Sequence, residues 1–284
     1  MSTPDLDWDL LRFFLAVMRT KTLREAADLL GVSHPTVRRR LTDLEQTLAL
    51  KLFERGPDGL QATPEAIELL EQAEGVEAAV LGLRRRASAV DTQLSGLVRV
   101  TVPDLLVTDL LMPALVAFCA RWPQIRLHIQ PSEKIADLAA QHADVAIRAM
   151  PLGVQPKGEL VGRKAATLHV AVYGNDHQWI GWFGDERDAW KDTYPFPDRP
   201  VVASMPNVLL QKAACAEGLG LATLPCFLAE PELERRTESK PSTDIWVLVH
   251  PDLRRTPRFR VFRDAMVAAL EELRPRLEGR TANE

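Results

Sequence analysis

Apolar positions along this chain follow two rhythms: helical spacing up to about residue 90, then short apolar runs alternating with helical stretches. Leu6 to Met18 places Leu10, Phe13, Phe14 and Val17 on one side and predicts a first helix. Thr22 to Glu45, TLREAADLLGVSHPTVRRRLTDLE, predicts two short helices meeting at a tight corner. Thr22 caps the first, Glu25 closes a capping box, and Ala26, Leu29 and Leu30 supply the buried stripe. Gly31 ends that helix in a left-handed cap, with Val32 as the accompanying apolar contact. Ser33 opens the second helix, which tolerates Pro35 in its first turn and turns Val37, Leu41 and Leu44 inward.

The outer face of that second helix carries the candidate chemistry. Rotation by about 100° per residue from Val37 puts Pro35, Arg39 and Thr42 outward and Thr36, Arg38 and Arg40 on the flanks. Three consecutive arginines combine guanidinium forks for guanine edges with phosphate contacts, and His34 or Thr36 reaches bases from the N-terminal end. A plain solvated face on a helical hairpin is the competing reading. After the apolar passage Leu48 to Phe53, Glu54-Arg55-Gly56-Pro57-Asp58-Gly59 reads as a turn between two brief extended runs, a wing. For Arg55 two readings stand, a phosphate or minor-groove contact and a salt bridge to Glu54 or Asp58. Thr63-Pro64-Glu65 starts a long helix to about Val90, with Ile67, Leu70, Ala73, Val76, Val80, Leu83 and Ala87 at helical spacing. That stripe pairs either with the same helix of a second copy or with its own domain.

Residues 8 to 90 resemble the winged helix-turn-helix and linker helix of LysR-type transcriptional regulators. The likeness lies in LLRFFLAV for the opening helix, REAADLLGVSHPTVRRRLTDLE, LKLFERGPDG for the wing and LQATPEA for the start of the dimerisation helix. Ala66 stands where the family usually has glycine, and Thr36 and Arg38 depart from its frequent serine or alanine pattern.

The rest of the chain reads as α/β. Leu97 to Val102 is β-rich and leads through Pro103-Asp104 into a helix, Leu105 to Arg121, stopped by Pro123. A strand at Ile125 to Ile129, a helix around Ile135 to Gln141 and a strand at Ala143 to Arg148 complete a β-α-β-α-β order that calls for a parallel sheet. Leu168 to Tyr173 begins a second such unit, with strands near Val201 and Leu221 flanking a helix from Asn207 to Glu217. Ile245 to His250 and a helix from Phe259 to Leu273 follow. VRVTVPDLLVTDLLMPALVAFCARWPQIRLHI, HADVAIR, CAEGLGLATLPCF and IWVLVHPDLRRTPRFRVF are similar to segments of the LysR effector domain, which is similar in fold to a periplasmic binding protein. The short stretch between Tyr173 and Pro200 implies a trimmed second lobe.

The expected architecture is thus α/β, with a winged helix-turn-helix over 1–63, a linker helix over 64–92 and a two-lobed α/β effector-binding domain over 93–284. Lobe I takes about 93–167 and 246–284, and lobe II about 168–245. Candidate DNA contacts are Thr22, Ser33, His34, Pro35, Thr36, Arg38, Arg39, Arg40 and Arg55. In doubly wound domains ligands lie at the carboxyl ends of strands, so candidate effector contacts are Pro103, Asp104, Arg148, Asn207 and Pro225. Asp104 has a second reading as a simple helix cap. The aromatic run WIGWFGDERDAW, Trp179 to Trp190, reads first as packing, and otherwise as a pocket wall or contact surface.

Composition narrows the picture. A net charge of -4 confines any nucleic-acid contact to a local patch, which the arginine cluster provides. Cys119, Cys215 and Cys226 show neither metal nor disulfide spacing and read as buried thiols in a reducing compartment. The acidic opening MSTPDLDWDL does not fit a signal peptide, and no apolar run approaches the roughly 20 residues of a membrane span, so a cytoplasmic location is expected. No phosphate loop, nucleophile elbow, dinucleotide fingerprint or zinc spacing is present, so no catalytic residue, metal or cofactor is assigned. The resemblance implies double-stranded DNA, a small-molecule effector, a second copy in a dimer or tetramer, and RNA polymerase as partners. The reading from another class is a cytoplasmic solute-binding or catalytic α/β protein whose N-terminal domain binds a protein partner.

Overall fold

The computed structural model describes residues 6–56, 59–89, 93–132, 143–156, 160–175, 177–182 and 196–280. The chain divides into two compact units, Met1–Ala87 and Ser88–Glu284.

In the first unit, α1 (Trp8–Thr20), α2 (Leu23–Leu30) and α3 (His34–Leu48) pack into a three-helix core. Helix α1 starts at Trp8 rather than Leu6 because Asp7 caps it, accepting from the Asp9 amide at 3.0 Å. Thr22 caps α2 as expected, accepting from the Glu25 amide at 3.1 Å; among the described residues the Glu25 carboxylate makes no return bond to complete the capping box. Gly31 takes φ 67°, and the Val32 amide donates to the Ala27 carbonyl at 3.0 Å, the six-to-one bond of a left-handed C-cap. Leu10, Phe13, Phe14, Val17, Ala26, Val37, Leu41 and Leu44 are all buried. Leu29 is not, being 46% exposed; Ala27 takes the inner place, since small side chains let so short a helix lie close to its neighbours.

The wing is a two-stranded ribbon, β1 (Phe53–Gly56) and β2 (Gly59–Ala62), paired from Phe53↔Ala62 to Gly56↔Gly59. Glu54, Arg55 and Gly56 therefore belong to a strand rather than to the expected turn, and the Arg55 side chain lies outside the described residues. Helix α4 (Pro64–Ala89) starts on Thr63, whose Oγ1 accepts from the Ala66 amide at 3.2 Å. Of its apolar stripe, Ala73 is buried, whereas Ile67 is 61% and Leu83 70% exposed.

Among the described residues the second unit holds one mixed eight-stranded sheet of order β4-β3-β5-β10-β6-β9-β7-β8. Its strands are β3 (Gly96–Val102), β4 (Ile125–Pro131), β5 (Val145–Pro151), β6 (Val161–Gly174), β7 (Trp179–Trp182), β8 (Val201–Met205), β9 (Leu221–Pro225) and β10 (Lys240–Val249). β3 runs parallel to β4 and β5, as the β-α-β-α-β order required. The expected helix around Ile135 to Gln141 lies outside the described residues. Leu168 to Tyr173 does not open a new parallel unit. It is the second half of the 14-residue β6, which is antiparallel to β10 from Val161 to Val170 and to β9 from Val170 to Gly174. One strand thus serves both halves, and the sheet is continuous.

Helices cover the sheet: α5 (Asp104–Leu106) runs through a π-helical turn, Val107–Leu111, into α6 (Met112–Arg121). α7 (Val208–Ala216), α8 (Cys226–Ala229), α9 (Pro257–Glu272) and α10 (Arg274–Glu278) follow. α6 and α9 meet through Phe118 and Phe262, edge to face with centroids 5.1 Å apart. This core holds Val98, Val100, Ile147, Val247 and Phe259, while Tyr173, Ile180, Cys215 and Leu224 form a separate cluster at the other end. Cys215 and Cys226 are buried, and burial raises both thiols, Cys215 to about 11. Cys119 is exposed, contrary to expectation, because it lies on the outer side of α6. Among the described residues no helix is long and apolar enough to cross a membrane.

Candidate functional site

Helix α3 is fixed at both ends before it presents anything. Ser33 Oγ accepts from the Thr36 amide at 3.4 Å and lies 2.8 Å from Thr36 Oγ1, so the hydroxyl of Thr36 is tied to the cap. At the far end Ala49 takes φ 54° and its amide returns to the helix carbonyls. Val37, Leu41 and Leu44 lock the inner face. Ser33, His34, Pro35, Arg38 and Arg39 are exposed, and Thr36 is half-buried. Arg38 and Arg39 have no acidic partner among the described residues. Arg40 departs from the cluster: it is half-buried and turns toward α1, with Nη2 3.9 Å from Asp9 Oδ2. Thr22 is half-buried, with its hydroxyl oxygen committed to the α2 cap.

Glu45 joins this helix to the wing. Its Oε1 accepts from the amides of Leu52 at 2.9 Å and Phe53 at 3.3 Å, and Oε2 accepts from Lys51 Nζ at 2.9 Å. Burial works to raise this carboxyl, and the bonds from Lys51, Leu52 and Phe53 outweigh it, leaving the group below the ordinary glutamate range. Sequence reasoning missed this role. The available signal was an acid closing the recognition helix just ahead of an apolar passage.

In the second unit the strand directions define the edges at which doubly wound domains generally take ligands. β5 and β6 both run antiparallel to β10, so they point the same way, and β9 points against β6. β5 ends at Pro151, which is level with Thr243 and through it with Leu168; β9 ends at Pro225, level with Val170. The carboxyl ends of the two half-sheets therefore face each other across the middle of β6.

Of the five candidate effector residues, Pro103, Asn207 and Pro225 stand at strand ends, whereas Arg148 lies mid-strand in β5, three residues short of its end. Pro103 and Arg148 each lie two residues past the paired Thr101 and Ala146, and Pro225 closes β9. Asn207 follows β8 and caps α7, its Oδ1 accepting from the Leu210 amide at 2.9 Å. Arg148 is only 1% exposed. Its Nη1 donates to the Ile147 carbonyl at 2.8 Å and its Nη2 to Thr101 Oγ1 at 2.9 Å, so it lies beneath the edge rather than projecting from it. Asp104, the fifth, is exposed and makes no capping bond; Pro103 holds the N-cap position.

Beside the carboxyl end of β5, level with Met150 and Thr167, stands a buried acid that the sequence did not single out. Asp244 accepts from Thr167 Oγ1 at 3.0 Å, from the Gly153 amide at 3.2 Å and from Lys164 Nζ at 2.7 Å. Burial works to raise its carboxyl; the Lys164 ammonium and the two other donors prevail and hold it below the usual aspartate range. Trp179, from the aromatic run, is buried and donates Nε1 to the Phe196 carbonyl at 3.0 Å, while Trp182 is exposed. The first four residues of that run are strand β7; residues 183–190 lie outside the described residues.

A capped recognition helix with a β-ribbon wing, followed by an α/β domain with opposed strand ends, defines a one-component DNA-binding regulator with a ligand-binding domain. Residues 8–67 match the model of the bacterial regulatory helix-turn-helix proteins of the lysR family, and residues 91–271 that of the LysR substrate binding domain. The chain belongs to the LysR family of transcriptional regulators. It is 27% identical over 277 residues to the Mau operon transcriptional activator of Paracoccus denitrificans, covering 89% of this chain and 92% of that protein. It is 29% identical over 262 residues to the transcriptional activator AmpR of Rhodobacter capsulatus, covering 85% and 87%. The full-length structure of the Vibrio cholerae virulence activator AphB shares the fold, with a TM-score of 0.60 at 19% identity over 93% of this chain and 99% of that one. The match over residues 8–67 makes the N-terminal domain a lysR-type helix-turn-helix, in place of the alternative in which it binds a protein partner.

Proposed function

We propose that this regulator reads operator DNA through the exposed face of α3, with Arg38, Arg39, His34 and Thr36 directed at the major groove and the wing at the backbone. Ser33 and Pro35 sit at the entry of that helix, and Thr22 and Arg40 support it from the flanks. The observation that carries this is the pair Arg38 and Arg39, exposed and free of acidic partners among the described residues, on a helix capped at both ends in a chain of net charge -4. A guanidinium left unpaired on a rigid rod is pre-positioned for phosphate and guanine.

The chain acts in the cytoplasm as a homodimer or tetramer, without a catalytic step, and engages RNA polymerase when bound. The exposed Ile67, Val76 and Leu83 on α4 support self-association, being apolar and at helical spacing. Residues 64–92 form the linker between the DNA-binding domain, 1–63, and the effector domain, 93–284. A small molecule seated between the opposed strand ends, near Pro103, Asp104, Asn207 and Pro225 and above Arg148, shifts the regulator's grip on DNA.

Binding of the full chain to operator duplex found by genome-wide mapping tests this reading. Affinity should fall steeply with salt, as counterion release requires. A flat salt dependence, or equal affinity for random duplex, overturns it.

A further inference from the structure

A cavity of about 740 Å³ opens over the first half of β6, at a place none of the five candidate effector residues lines. Its volume falls within the range of small-molecule sites, roughly 300–1,000 Å³. Its apolar wall comes from Leu160, Val161, Val249, Val267 and the indole of Trp246. Trp246 also carries a buried Nε1–H without an acceptor among the described residues.

The charges are unevenly matched. Three guanidiniums, Arg163, Arg254 and Arg263, and two carboxylates, Asp264 and Glu271, line the cavity. Each carboxylate already has a guanidinium: Glu271 accepts from Arg163 at 2.5 Å and Asp264 from Arg263 at 2.8 Å. Arg254 has no acidic partner among the described residues. Among the described residues one positive charge therefore stands uncompensated beside an apolar, aromatic wall.

We propose that this cavity is a second ligand site, separate from the opposed strand ends, for a small organic acid with a flat hydrophobic body. The body lies against Trp246, Val249 and Val267, and the carboxylate is held by Arg254. Burial of the body supplies most of the affinity, and the charge-assisted bond selects acid over neutral analogue.

The test uses the full chain labelled with 5-fluorotryptophan, with the Trp246 fluorine signal assigned from the Trp246→Phe variant. Titration with 1-naphthoate should move the Trp246 signal to saturation. The neutral 1-naphthylmethanol should bind about tenfold more weakly, and Arg254→Gln should weaken naphthoate by about tenfold. Arg254 is exposed, so the substitution leaves the core intact, which unmoved signals from the other five tryptophans verify. A shift that never saturates, an alcohol that binds as tightly as the acid, or an Arg254→Gln variant that matches the parent overturns the proposal. Because no DNA enters this experiment, its failure leaves the operator reading untouched.

Discussion

Lys164 Nζ stands 2.7 Å from Asp244 Oδ1, a half-exposed ammonium closing over a carboxylate that is 3% exposed. The pair joins β6 to β10 beside the last residues of β5, where Asp244 is level with Met150. Burying a carboxylate is costly unless donors surround it, and here three do.

Asp244→Asn should therefore destabilise the second unit by roughly 2 kcal/mol at neutral pH, read from urea unfolding. The pH dependence has a fixed sign. The folded carboxyl is held below its unfolded range, so its contribution is present above the ordinary aspartate pKa, about 3.9, and is lost as pH falls through the folded value. The gap between parent and variant should shrink only in that acid window. A gap that is constant down to that acidity contradicts the assignment.

Glu45→Ala should loosen the wing. Three donors lose their acceptor, two of them backbone amides at the start of β1, at a cost of roughly 2 kcal/mol to the first unit. Glu45→Gln should cost less, since the amide keeps one oxygen for the Leu52 and Phe53 amides. Amide hydrogen exchange at those two residues separates the variants, and equal exchange in all three proteins would count against a positioning role.

Arg39→Ala should abolish discrimination between operator and random duplex, with a loss of about 1–3 kcal/mol if the guanidinium is bidentate to a base. Assembly should be unchanged, since Arg39 is exposed and holds no intramolecular partner among the described residues. A salt-matched binding competition alongside sedimentation checks both halves.

Gly31→Ala should cost about 1 kcal/mol in the first unit. Nothing lies within 4 Å of the added Cβ, so the loss comes from φ 67° alone. A thermal midpoint indistinguishable from the parent would show that the corner relaxes.

The first unit was largely legible because its helices are specified locally. Thr22, Gly31 and Ser33 act within a few residues of themselves, and Val37, Leu41 and Leu44 needed only the helical period to be placed inside. Packing decided what local pattern could not: Leu29 lost its inner place to Ala27, and Arg40 turned toward Asp9. In the second unit the parallel β3, β4 and β5 followed from element order, but β7 was hidden inside a tryptophan-rich run.

What the sequence by itself determined is the sequence of local events: caps, turns, the inward stripe of α3, the basic face opposite it, and the family those segments share. Tertiary structure alone decided which side chains are spent on other parts of the chain. Arg148 is buried against Thr101, Glu45 holds the wing, and Asp244 binds Gly153, 91 positions away in the chain. Those choices depend on strand register and on the cost of leaving a buried polar group unpaired, and both are set by neighbours that only the folded chain brings together.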